Sequence, residues 1–286
     1  MFKYCALLAI STQLFGFEFY KTKDGQTCKW DLSSLPDGTF HWKVADGAPD
    51  IARQSMLFAT QAWSDASAGV LRFTEGDGGI VVNWGGLGAD VTALAQTTLS
   101  ARNGTILSAK IVVNTGLYSW IRGPQTAQDA AALFRTYDLD PVLLHEMGHA
   151  LGLDHSDKDG VQPVDHSDLP TMNSIVYPCA RTLHIDDITG IRVLYGIDAP
   201  LPQLTAEASP PSGQVPFTAA LFQQGGDEFT HWDFGDGTES TGASATHRYR
   251  TPGHYEVSVS VNGMKTTLSI DVTKKQRKKR APHNRH

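Results

Sequence analysis

The eleven residues His145-Glu146-Met147-Gly148-His149-Ala150-Leu151-Gly152-Leu153-Asp154-His155 constrain this chain more than any other stretch. Two imidazoles four residues apart stand one turn apart on the same face of a helix and can share one metal ion. Glu146 sits beside them, where a carboxylate can hold a water on the metal and take its proton. Gly152 follows His149 by three residues, and a glycine there lets the helix end in a left-handed turn. The chain then turns back, so His155 can become the third ligand. Three nitrogen ligands with the fourth position open describe a catalytic zinc rather than a structural one; such a zinc lowers the pKa of water to about 7 and polarises a carbonyl. If the histidines were merely exposed on a helix, nothing would require Gly152 and His155 at those offsets.

The flanking pattern gives the motif a fold. Asp140 is expected to cap the motif helix, with Pro141 at its first position and an end near Leu151. Asp50 to Ala66 carries Ile51, Met56, Ala59, Ala62 and Trp63 near helical spacing, with Pro49 and Asp50 at its start. Val70–Phe73, Ile80–Trp84, Ala93–Leu99 and Ala109–Val113 are short apolar or β-rich runs between Gly-rich turns and read as strands. A last helix is expected from Asp186 and Asp187 to Tyr195. Helix, strands, helix, helix is an α+β order.

Beyond the linker Ala199-Pro200-Leu201-Pro202 the period changes. Tyr255, Val257, Val259 and Val261 alternate with Glu256, Ser258 and Ser260; Asn262-Gly263 is a hairpin signal, and Leu268, Ile270 and Val272 resume the alternation. Residues 203–273 show no helical period and read as a small all-β sandwich. The tail 274–286 holds seven Lys and Arg and no acid, too charged to pack. Without it the remaining chain carries a net charge of −13, which excludes a nucleic-acid-binding body.

Residues 1–17 read as a signal peptide: Lys3, then the apolar run Tyr4–Ile10, extended by Leu14–Phe17. The run is too short and interrupted to span a bilayer, and no other run is long enough. Secretion into an oxidising compartment follows. Cys5 would leave with the signal, and Cys28 and Cys179 remain as an even pair, expected to form a disulfide.

His145-Glu146-x-x-His149-x-x-Gly152-x-x-His155 resembles the metzincin zinc-binding signature. Ser156 after the third histidine resembles the matrixin branch. Gly25-Gln26-x-x-Lys29-Trp30 is similar to that family's first strand. Ala62-Trp63-Ser64 and Leu71-Arg72-Phe73 are similar to the end of its first helix and the next strand, and Leu183 through Gly196 to its last helix. The resemblance implies a metzincin-like catalytic domain over 18–198, a mixed twisted sheet with three helices. It also implies a methionine in a turn beneath the zinc. Met172 in Pro170-Thr171-Met172-Asn173 is preferred over Val176, whose Val176-Tyr177-Pro178 resembles the family's Met-Tyr-Pro. Tyr177 then belongs to the segment lining the pocket for the side chain after the scissile bond. No cysteine-switch propeptide is recognisable, nor is the second, structural zinc site of animal relatives; His166 and Asp168 read as solvated. Calcium is conceivable at loop aspartates, but the sequence specifies no site.

In the second domain, Trp232-Asp233-Phe234-Gly235-Asp236-Gly237, His247-x-Tyr249 and Pro252-Gly253-x-Tyr255 resemble a PKD domain, an immunoglobulin-like sandwich. Its aromatics read as core; the resemblance implies a spacer or a module for an extracellular polymer or matrix. The expected whole is a secreted, monomeric, zinc-dependent endopeptidase. Glu146 would be the catalytic base, and a peptide would lie along the edge strand around Ala93 and Ala95. A non-catalytic adhesion protein with a structural zinc is the rival, and it has no use for Glu146.

Overall fold

The structure, a computed structural model, describes residues 16–88, 91–123, 135–157, 169–175, 181–227 and 229–275. Contacts divide the chain into two compact units that part after Pro200.

The first unit is built on a five-stranded sheet in the order β3-β2-β4-β6-β5. Its strands are β2 (Phe40–Val44), β3 (Phe73–Glu75), β4 (Ile80–Gly85), β5 (Ala95–Arg102) and β6 (Thr105–Asn114). The β2–β3, β2–β4 and β4–β6 pairs are parallel, and β5 pairs antiparallel with β6 at one edge. The sheet is mixed, as expected. Helix α1 (Asp50–Ala66) buries Ala52, Ser55, Met56, Ala59, Thr60, Trp63 and Ala66, one stripe at spacings of three and four. Helix α2 (Leu139–Ala150) carries the motif, and helix α3 (Ile185–Tyr195) closes the unit. The short strands β7 (Ser119–Ile121) and β8 (Thr136–Asp138) pair with each other, and β1 (Glu18–Phe19) pairs with β9 (Leu153–Asp154) just beyond α2. Among the described residues no helix is long and apolar enough to cross a membrane.

Three local expectations are corrected. Gly25–Trp30 is not the first sheet strand. Gly25, at φ 80°, folds the segment back on itself through the Thr22–Gln26 turn, leaving only isolated bridges from Lys21 to Thr27 and from Lys29 to Thr105. The sheet instead receives Phe40 and Trp42, which alternate with His41 and Lys43. The Val70–Phe73 strand begins only at Phe73, because Ser67 Oγ accepts the Leu71 N–H and holds the preceding residues in the helix-ending turn. Helix α2 starts one residue before Asp140. Its cap is Asp138, whose carboxylate accepts the Asp140 N–H at 3.2 Å. Asp140 is unavailable as cap because Arg122 and Arg181 engage its carboxylate. Pro141 remains tolerable inside the first turn, where no intrahelical N–H bond is lost.

The second unit is a two-sheet sandwich. One sheet runs β10 (Thr205–Ser209), β12 (Phe217–Gln224), β15 (Ser244–Tyr249). The other runs β11 (Ser212–Gln214), β17 (Met264–Thr273), β16 (Gly253–Val261), β13 (His231–Asp233), β14 (Glu239–Thr241). Asn262 and Gly263 form the two-residue turn between β16 and β17, both at positive φ, 50° and 73°, as the tight hairpin geometry demands. Trp232, Phe234 and Tyr249 are buried with Val257, Val259, Ile270 and Val272; Tyr255 is half-buried, its ring stacked 4.3 Å from Tyr249.

Candidate metal centre

Helix α2 brings His145, Glu146 and His149 together near its C-terminal end. His145 and His149 stand on one face, and Gly152, at φ 105°, ends the helical path. A Cβ at Gly152 would lie 2.5 Å from the Cys28 carbonyl oxygen, so only glycine permits both this backbone angle and this approach. The chain then brings back His155, whose Nε2 lies 3.1 Å from that of His149 and 3.3 Å from that of His145. An ion held tetrahedrally by nitrogens about 2.0–2.1 Å away separates its ligand atoms by about 3.3 Å. The spacing therefore fits a zinc ion. Among the described residues, no fourth His, Cys, Asp or Glu joins the cluster.

The other ring nitrogens hold these orientations. His145 Nδ1 donates to the Thr171 carbonyl at 2.6 Å, and His149 Nδ1 to the Leu153 carbonyl at 2.9 Å. Each bond leaves a lone pair on Nε2 for a metal. Burial, reinforced by the neighbouring imidazoles, holds His145 well below the usual imidazole range, so it stays in the neutral form that ligates.

The helix is locked from several sides. The Trp63 indole N–H donates to Leu144 O at 2.9 Å, the Trp30 indole to Ala150 O at 2.8 Å and the Tyr195 hydroxyl to Leu151 O at 2.8 Å. The last two satisfy carbonyls that a helix end leaves orphaned. At the start, Arg181 bridges Asp138 and Asp140, 2.8 Å to each.

Met172 is buried in a turn closed by the Asn173 N–H on Pro170 O, and its own carbonyl accepts the N–H of Ser156, next to the third histidine. A Cβ at Gly148 would lie 2.3 Å from Met172 Sδ and 2.8 Å from the Trp63 ring, so Met172 packs directly against the helix through that glycine. Asp187, fully buried on α3, fixes the turn by accepting the N–H groups of Thr171, Met172 and His184. Val176 and Tyr177 lie outside the described residues, as do His166 and Asp168.

Glu146 is buried beside the cluster. Burial raises its carboxyl to about 7, against a bond from Thr97 that lowers it. Thr97 lies on β5, the sheet edge. Ala95 opens that strand and is buried, whereas Ala93 lies just before it with its carbonyl accepting from Asn114 Nδ2 at 2.9 Å. Cys28 carries a free, buried thiol; Cys179, its expected partner, lies outside the described residues.

Sequence reasoning missed Thr97, Asp187, Trp30, Tyr195 and Tyr20. Tyr20 packs its ring 5.4 Å from that of His149, and burial, with Asp154 and Glu146 nearby, pushes its phenol up to about 12. None of these residues lies in the motif; they meet it only through sheet order and the return of the chain. Asp187 had only the signal of an acidic residue in a helix's first turn, which marks the helix start and not the bonds to the Met172 turn. Gly16 and Phe17, expected inside the signal peptide, dock on the same helix: both donate N–H groups to Asp186 Oδ1, at 2.7 and 3.2 Å.

Comparison with known proteins agrees with this geometry. The chain is 38% identical to macrophage metalloelastase of Rattus norvegicus over 86 residues, 28% of this chain and 16% of that protein. It is 37% identical to metalloendoproteinase 2-MMP of Arabidopsis thaliana over 81 residues, 26% of this chain and 17% of the relative. The match thus spans about a sixth of each relative's length. Among solved structures, the hatching enzyme HCE-1 of Oryzias latipes aligns at 15% identity, covering 60% of this chain and 96% of its own, with a TM-score of 0.35. Myroilysin aligns at 14%, covering 60% and 97%, also at 0.35. Scores that low add nothing to the assignment. The PKD domain model matches residues 198–274. The matrixin model matches residues 39–196, more than half of the chain, and the chain belongs to the matrixin family.

Proposed function

We propose that the chain is a secreted zinc-dependent endopeptidase. The observation that carries this reading is a buried carboxylate, Glu146, adjacent to three imidazoles whose nitrogens converge at tetrahedral spacing. A structural zinc needs no such carboxylate. His145, His149 and His155 would hold the ion, which when bound supplies Lewis-acid polarisation of a carbonyl and makes water acidic enough to attack at neutral pH. Glu146 takes the proton from the attacking water and passes it to the departing amine. Edge strand β5 offers its free side to an extended peptide, which pairs through its backbone. Met172 shapes the floor under the histidines. The PKD domain acts as a spacer or as a contact to an extracellular polymer.

The test uses the full chain. One equivalent of zinc and cleavage of an unfolded protein, abolished by a chelator and restored by zinc, is the expected result. Glu146→Ala should keep the zinc and lose turnover at least about a thousand-fold, because only proton transfer is removed. A protein that holds zinc through an intact Glu146 yet cleaves no unfolded protein would be a binding module instead.

A further inference from the structure

We propose that Thr97 is the positioning residue for Glu146. This inference rests on the proposed role of Glu146 as base and adds what aims it. Thr97 is the third residue of β5, in register with Ile111 of β6. Successive strand residues face opposite sides, so Thr97 shares the inward face with buried Ala95, while Gln96 and Thr98 are exposed. That face meets α2, and Thr97 Oγ1 lies 2.5 Å from Glu146 Oε2 and 3.2 Å from the Glu146 carbonyl oxygen. A hydroxyl has one proton to give. The carboxylate oxygen is nearer and carries charge, so it receives the proton, and a bond to an ionised acceptor is the stronger kind.

Two consequences follow for the reaction. With Oε2 engaged as an acceptor, a proton taken by Glu146 goes to Oε1. The hydroxyl therefore selects which oxygen does the chemistry and stops the carboxylate turning about its last bond. Glu146 is otherwise short of partners: no second hydrogen bond to its carboxylate accompanies that of Thr97 among the described residues. Second, β5 is the strand on which the substrate backbone is expected to lie. The same strand thus sets the substrate's register and the aim of the base, so a peptide seated on β5 meets a carboxylate already held relative to that strand. Threonine suits both tasks, its branched side chain favouring the strand and its hydroxyl reaching the helix.

The test is Thr97→Val, which keeps the shape and removes the hydroxyl, compared with Thr97→Ser and Glu146→Ala in the full chain. Thr97→Val should bind one equivalent of zinc as the unaltered protein does. Its kcat should fall about 10- to 100-fold, the range for losing one hydrogen bond to a charged group, with KM changed less than about two-fold. Thr97→Ser should restore most of the kcat. In the zinc-free protein, Thr97→Val should lower the unfolding midpoint more when Glu146 is present than in the Glu146→Ala background, where only the longer contact to the main-chain carbonyl at that position is left to lose. Full kcat in Thr97→Val beside an inactive Glu146→Ala would overturn the positioning role and leave the base intact. An equal loss in Thr97→Ser, or a loss carried by KM, would also overturn it, making Thr97 a packing or substrate-contact residue. An active Glu146→Ala would remove both readings together.

Discussion

The two units bury different things. Fifteen of the sixteen buried polar residues described belong to the first unit, nine of them ionisable, and the sandwich has only Thr230. Helix α2 buries all twelve of its residues, among them Asp140, His145, Glu146 and His149. Strand β16 instead buries Val257, Val259 and Val261 and leaves alternate residues half-exposed. Burying a polar group costs free energy unless it is bonded, and a charge costs more. The first unit bears that cost and offsets it with specific partners: Thr171 for His145, Leu153 for His149, Thr97 for Glu146 and three N–H groups for Asp187. The sandwich has few polar atoms to pair, the Thr230 and Tyr249 hydroxyls and the Trp232 indole, each donating to a backbone carbonyl, and the rest of its core is aliphatic and aromatic. A site is thus paid for in the unit that carries it.

The sharpest way to break this contrast is Gly148→Ala. The added Cβ would overlap Met172 Sδ and the Trp63 ring, both held in a fully packed interior. Overpacking costs about 1–3 kcal/mol where neighbours can shift and more where they cannot. Here the ring is fixed by its bond to Leu144 O, so about 3 kcal/mol or more is expected. The readout is the denaturation midpoint of the first unit together with zinc affinity; the sandwich transition should not move. Wild-type stability and zinc affinity would mean that Met172 does not pack against the helix.

The same contrast explains what was legible in the sequence. The motif histidines, Glu146, the glycine turn and Met172 carry their chemistry in local spacing, and helix α1 and the Asn262-Gly263 hairpin carry theirs in periodicity. Thr97 and Asp187 do not, because a hydroxyl on a strand and a carboxylate on a helix acquire their roles only when non-local packing brings a partner. The cap on α2 was misplaced for a related reason. Asp138 and Asp140 are equal candidates locally, and Arg122 and Arg181 decide between them from elsewhere in the chain. Strand β2 is only five residues long, too short for its alternation to stand out in the sequence.

A smaller effect sharpens the comparison through pH. Burial, with Asp187 beside it, raises the Asp186 carboxyl from 3.8 to about 6, and its Oδ2 has no hydrogen-bond partner among the described residues. A carboxyl raised in the folded state favours its protonated form there. Its stability contribution is whole below about pH 4, declines as the pH rises, and is fully lost above about pH 6. Asp186→Asn, which keeps an acceptor for Gly16 and Phe17, should therefore change little at pH 4 and stabilise the first unit at pH 7 by at most about 3 kcal/mol. In the sandwich the sign reverses. Burial pushes Asp236 up, but bonds from Thr238 and His247 outweigh it and leave its carboxyl below the ordinary value. Its contribution is present above about pH 4 and fades as the pH falls further. Thermal unfolding of each unit from pH 3 to 8 measures both trends. A parallel pH response in the two units would contradict the assignment.

The smallest expected effect is that of removing the sandwich altogether. Every residue placed at the centre lies between Tyr20 and Tyr195, within the unit that ends at Pro200. The sandwich has a core of its own, from Leu204 to Val272, closed over Trp232 and Tyr249. Each unit should therefore fold alone, and a chain ending at Pro200 should cleave a short peptide within about two-fold of the full chain's kcat/KM. Large or insoluble substrates are different, because a tethered second contact raises the effective concentration of the active site at the polymer. Truncation should weaken hydrolysis of a fibrous protein about ten-fold or more if the sandwich binds that polymer, and leave it unchanged if the sandwich is a spacer. Comparing peptide and fibre hydrolysis by the two forms separates these roles. If the truncated chain folds and holds zinc but cannot cut even a short peptide, the division between the unit that bears the polar cost and the unit that does not is wrong, and the sandwich takes part in the site.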